Sequence, residues 1–164
     1  MSKLQGDMIQ TKNFNPEVDT KSLGKLQGVH PDLVKVIKRA IELTPYDFGV
    51  SEGVRTIARQ EVLFEEGKSQ TMNSKHIPVI FTRWSNGTAS RPAGVVNNFY
   101  GAAVDLVVYV NGNATWEHKY FRKVIQAVFT AAIEHGVQVE AGALWRDFLD
   151  SPHIQLNMGY YDAS

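Results

Sequence analysis

Apolar residues recur at helical spacing in "HPDLVKVIKRAIEL", where Leu33, Val34, Ile37, Ala40 and Ile41 share one face. Pro31 suits a first helical turn and Asp32 complements its positive end, so the pattern predicts a helix over about 31–43. "TPYD" breaks it. "DFGVSEGVRT" reads as a short strand and turn, and "TIARQEVLFEEG" as a second helix stopped by Gly67. "VIFTRW" and "GVVNNFY" flank the turn-rich "SNGTASRPA", which predicts a hairpin or loop within about 79–100. "AAVDLVVYV" is the clearest strand, with Asp105, Val107 and Tyr109 on one face and Val104, Leu106, Val108 and Val110 on the other. "NGN" ends it. "WEHKYFRKVIQAVFTAAIEHG" is the clearest helix, with a stripe of Phe121, Val124, Ile125, Val128, Phe129 and Ala132 and a stop at Gly136. "VQVEA" and "HIQLNM" are further short strands, separated by the loop or turn "GALWRDFLDSP".

The order of elements predicts an α+β domain with a small, mainly antiparallel sheet and packed helices. Residues 1–27 lack periodicity and read as an N-terminal arm docked on a single domain of 28–164. A chain of 164 residues can bury a sizeable core. Lys+Arg and Asp+Glu are both 17, so no basic surplus points to nucleic acid. No run is long and apolar enough for stable membrane insertion. With no cysteine, disulfides, thiolate ligands and thiol nucleophiles are all excluded. The N-terminus has no apolar core of the signal-peptide kind, so synthesis in the cytoplasm is expected.

Of the 5 histidines, His30 shapes the start of the first helix, His118 faces solvent, and His135 sits where a helix dipole favours a cation. His76 and His153 lie at the edges of ordered segments near carboxylates. His153 and Gln155 point to one face of their strand. Asp105 has apolar neighbours, so burying its carboxylate is costly without a partner or a metal. Spacing leaves two readings open, a metal site of two histidines and one carboxylate or a strand residue facing water. HExxH, GxSxG and phosphate-binding glycine loops are absent, which weakens the serine- and cysteine-nucleophile readings.

"SEGVRT" with "ARQ", then "SKH", "GAAVDL" and "FLDSPHIQL" occur in the order of the motifs of the M15 zinc peptidases. The chain resembles the branch of phage and prophage endolysins that act as L-alanyl-D-glutamate peptidases, from about "LQGVHPDL" to "PHIQL". The resemblance implies that His76, Asp105 and His153 bind Zn²⁺, that Asp150 is the general base, and that Arg55 polarises the carbonyl or holds a substrate carboxylate. It also implies that 28–164 is a catalytic domain, monomeric, whose partner is bacterial peptidoglycan. The enzyme would be made in the host cytoplasm and reach the wall after membrane permeabilisation. Two alternatives stay open, a D-Ala-D-Ala carboxypeptidase of the same family and a non-catalytic wall-binding or structural phage protein.

Two departures from that pattern stand out. The family motif S-x-H-x-x-G-x-A-x-D holds both ligands, whereas His76 and Asp105 lie 29 positions apart. Enforcing the short spacing would put Asn98 at the histidine position, so an insertion between two halves of one motif is expected. It would form a flap near the site, meeting substrate through Arg83, Trp84 or Tyr100. In addition, "EAGALW" lacks an acidic residue common in relatives at that point, and Asp147 is a competitor for the base role.

Overall fold

The computed structural model describes residues 16–69, 74–84, 98–142 and 152–161. Helix α1 (Pro16–Lys25) precedes α2 (Pro31–Leu43), strand β1 (Asp47–Glu52) and α3 (Ile57–Glu65). Strands β2 (Val79–Ile80) and β3 (Phe99–Tyr100) form a separate antiparallel pair. Then follow β4 (Ala103–Val110), β5 (Asn113–Thr115), α4 (His118–His135), β6 (Val139–Ala141), β7 (His153–Leu156) and α5 (Met158–Tyr161). The main sheet runs β1-β4-β7-β6, with β5 also paired to β4, and every pairing in it is antiparallel. The predicted α+β class with packed helices is the observed one.

The long elements form where their patterns place them. Helix α2 starts at Pro31, and the His30 side chain caps it by accepting from the Asp32 amide through Nδ1 at 3.0 Å. Helix α4 ends at Gly136, whose φ of 66° needs no Cβ to be accommodated. Phe121, Val124, Ile125 and Val128 are buried as predicted, while Phe129 only packs at the core margin. Helices α2 and α4 pack together, and Val104, Leu106 and Val108 of β4 join them in one apolar core. Each such side chain contributes about 1.5–3 kcal/mol by leaving water.

Three features go beyond the sequence expectation. The stretch read as an arm contains α1, whose Ser22 hydroxyl accepts the Val50 amide at 3.0 Å. Asn111 and Gly112 both have positive φ, so "NGN" opens a tight hairpin into β5 rather than merely ending β4. The tail forms α5, which buries Tyr161. No helix among the described residues is long and apolar enough to cross a membrane.

Candidate metal centre

The sheet register builds the site. Asp105 on β4 stands directly opposite His153 on β7. On its other side Asp105 pairs with Glu52 of β1, where an irregularity between Val50 and Glu52 shifts the register by the extra residue Ser51. Glu52, Asp105 and His153 therefore form a row across three strands. His76 arrives from a loop, not a strand. That loop is fixed by backbone bonds, from the Arg55 amide to the His76 carbonyl at 2.9 Å and from the Ala102 amide to the Lys75 carbonyl at 2.8 Å.

The 29-position separation closes. Val79 pairs with Tyr100 and Ile80 with Phe99, and the Phe81 amide donates to the Asn98 carbonyl at 2.7 Å. The segment leaves and re-enters the fold at one place, so His76 Nε2 lies 3.2 Å from Asp105 Oδ1. His153 Nδ1 lies 3.2 Å from the same oxygen. Asn98 stays at the hairpin base, exposed. Residues 85–97 lie outside the described residues. The expectation of a substrate-facing flap needs correction at two positions. Trp84 and Tyr100 are only 2% and 8% exposed and pack around His30 with Phe81 and Tyr161. They are core residues because the hairpin base is itself part of the core. Arg83 is exposed.

Hydrogen bonds on the far side of each ring dictate what faces the centre. His76 Nδ1 lies 2.7 Å from the Gly53 carbonyl, which can only accept, so Nδ1 carries the proton and Nε2 a lone pair. His153 Nε2 lies 2.8 Å from Gln155 Oε1, so the same logic gives its Nδ1 the lone pair. Two nitrogen lone pairs and a carboxylate oxygen thus converge, with ligand atoms all within 4.8 Å of one another. Any further proton between them makes a ring cationic. Burial works against ionisation of Asp105, yet with a proton on the facing nitrogen the His153 and His76 rings donate to it and carry positive charge, which holds its carboxyl well below the usual range. Such a cluster of acceptors fits a divalent cation, and these three residues can hold one.

Arg55, 8% exposed, lies against this centre. Its Nε donates to Glu52 Oε1, its Nη1 to Gln60 Oε1 at 2.7 Å and Ser74 Oγ at 3.2 Å, and its Nη2 lies 3.7 Å from Asp105 Oδ2. Gln60 is fully buried and passes its own amide proton to Ser69 Oγ at 2.8 Å. The ion pair with Glu52 anchors the guanidinium beside Asp105. Gly53 is indispensable at the junction, since a Cβ there would overlap the Lys25 carbonyl oxygen of α1.

His76, Asp105, His153 and Arg55 are thus brought together. Asp150, Asp147 and the "ALW" stretch lie outside the described residues. His118 and His135 are exposed and do not join this group. Sequence reasoning missed the Gly53 carbonyl, which has no side-chain signal, and the partners Glu52, Ser74 and Glu140. The period of two in β7 did signal Gln155.

Comparison with known proteins gives three concordant results. The family described as "Phage L-alanyl-D-glutamate peptidase" matches residues 15–164. The L-alanyl-D-glutamate peptidase of Escherichia phage T5 is 32% identical over 142 residues, covering 84% of this chain and 87% of the relative. The crystal structure of the Serratia marcescens L-Ala D-Glu endopeptidase ChiX superposes with a TM-score of 0.69 at 37% identity, covering 85% of this chain and 89% of that one.

Proposed function

Because the chain belongs to the phage L-alanyl-D-glutamate peptidase family, we propose that it is an endolysin hydrolysing the L-Ala–D-Glu bond of bacterial peptidoglycan with one Zn²⁺. The observation that carries the metal part is the convergence of His76 Nε2, His153 Nδ1 and Asp105 Oδ1 on one point. Two imidazoles and a carboxylate are a common catalytic zinc set that leaves a coordination position open. When bound, such an ion supplies Lewis acidity and a hydrolytic nucleophile at neutral pH.

The chain's own residues do the rest. Gly53 and Gln155 keep both rings in the ligating tautomer. Arg55 cannot lose its charge and is held by Glu52, Gln60 and Ser74, so it meets the developing oxyanion or the stem-peptide carboxylate without reorganising. Asp150, three positions before His153, takes the proton of the attacking water and returns it to the departing D-Glu amine. The domain of 28–164 carries all these groups, acts as a monomer, and meets the wall from the cytoplasmic side once the membrane is permeable.

Zinc quantification combined with mass spectrometry of digested muropeptides tests this reading. Wild type should hold one zinc and free intact stem peptides lacking L-Ala. Asp150→Ala should keep the zinc and lose about 10²–10⁴ in rate. Release of single D-Ala residues would instead mean a carboxypeptidase, and wall binding without new amino termini a non-catalytic protein. Unchanged activity in Asp150→Ala would remove that residue from the base role.

A further inference from the structure

Beyond the three ligands, an exposed carboxylate is wired to the centre. Gln155 Nε2 donates to Glu140 Oε2 at 3.0 Å, and Gln155 Oε1 lies 2.8 Å from His153 Nε2. The connection follows from the sheet, since Glu140 on β6 stands directly opposite Gln155 on β7. His153 is two residues away on the same face of β7. Three residues from two adjacent strands thus form one line, Glu140–Gln155–His153, that ends at Asp105 Oδ1.

The order of polarity along that line is forced from its outer end. A carboxylate offers acceptors only, so the Gln155 amide must turn its NH₂ to Glu140. Its oxygen is then left for His153 and can only accept. His153 must therefore protonate Nε2 and leave its lone pair on Nδ1, which is the nitrogen that faces Asp105. Reversing the amide would set two oxygens against each other at the Glu140 end and an NH₂ against the ring at the other. Gln155 is 8% exposed and His153 6%, so water has little opportunity to replace either bond.

We propose that Glu140, acting through Gln155, is a positioning residue that sets the His153 tautomer and makes Nδ1 the metal-binding atom. The inference rests on the zinc reading above. Both residues act on the ligand and touch neither substrate nor metal. Glu140 is exposed on a short strand, so its side chain has no evident packing role that would account for its alignment with the centre.

The test uses the full chain, Zn²⁺ as the probe, and two variants. Competition with a chromophoric chelator gives the zinc affinity, and nitrogen-15 chemical shifts of the imidazoles report which nitrogen carries the proton. Wild type should ligate through His153 Nδ1 with Nε2 protonated. Gln155→Leu should weaken zinc binding about 10–100-fold, the usual range for loss of an outer-shell partner. Glu140→Gln keeps the shape and only lifts the acceptor-only constraint. It should weaken binding by less, about 3–10-fold, and give a mixed population of His153 tautomers in the metal-free protein. Because Glu140 is exposed, that variant answers the question even if Gln155→Leu does not fold. Wild-type affinity and an unmixed tautomer in Glu140→Gln would overturn the proposal while leaving the zinc peptidase intact, as would wild-type ligation through Nε2. A wild type that cleaves walls with no zinc would overturn both readings, and muropeptide analysis of the wild type makes the two failures distinguishable.

Discussion

Two clusters of this molecule bury a histidine, and they are built oppositely. His30 is 0% exposed and ringed by Phe81, Trp84, Tyr100 and Tyr161, with ring centroids 4.4–5.4 Å away. Its Nδ1 caps α2, and its Nε2 meets no hydrogen-bond partner among the described residues. His76 is 1% exposed but both its nitrogens face acceptors, the Gly53 carbonyl and Asp105. Burial alone therefore does not mark a functional histidine. The mark is the surplus of acceptors around it, which a cation resolves and an aromatic cage does not need.

The largest expected effect breaks the comparison in both directions at once. His76→Ala should abolish stoichiometric zinc binding and lower wall cleavage by about 10³-fold or more, since on the proposed reading several kcal/mol of transition-state stabilisation depends on the metal. His30→Ala should do the reverse. It leaves a cavity in the aromatic cluster and removes a helix cap, costing about 2–4 kcal/mol of stability, while the folded fraction keeps one zinc. Metal analysis and thermal melts of both variants decide it. If folded His30→Ala loses its zinc, or His76→Ala keeps its activity, the two clusters are not functionally distinct.

Arg55 sharpens the polar side of the comparison at a smaller magnitude. A lysine at 55 keeps the charge but cannot serve Glu52, Gln60 and Ser74 together, because it has no planar fork. Arg55→Lys should retain zinc and lose about 10²-fold in rate, the scale of one preorganised donor. Digestion assays on zinc-loaded protein measure this. Retained rate in Arg55→Lys would reduce Arg55 to a structural ion pair with Glu52.

These contrasts also explain what could be read from the chain. β4 and α4 were legible because their periods of 2 and 3.6 persist for 8 and 18 residues. Elements of a few residues, such as α5 and β5, carry too little pattern, although "NG" is a recognised hairpin signal and was there to be used. The pairing of His76 with Asp105 was legible as two halves of a motif. The role of the intervening segment was not, because Trp84 and Tyr100 are core residues only in relation to His30, which lies far away in sequence. Gly53 was silent for a related reason, since its contribution is a backbone carbonyl held near α1.

The smallest expected effect concerns pH and isolates the aromatic cluster. Burial pushes the His30 imidazole down to about 4, with the nearby Asp32 carboxylate opposing and Lys35 assisting. Tyr161, which also touches the ring, is pushed well above its usual range by burial and by Asp32, to which its hydroxyl donates at 2.8 Å, so it stays neutral throughout. In the unfolded chain His30 titrates near 6.5. Between about pH 6.5 and 4 the unfolded chain therefore binds a proton that the folded chain refuses. Stability from this group is complete above about 6.5 and is lost as pH falls towards 4. His30→Asn keeps an acceptor for the Asp32 amide and removes the titration. Its denaturant midpoint should fall less than that of wild type between pH 7 and 5, even if it starts lower. Parallel midpoints for the two proteins across that window would mean that His30 takes up its proton in the folded state, with Asp32 as its ion-pair partner, and the aromatic cage would then resemble the metal centre more than it differs from it.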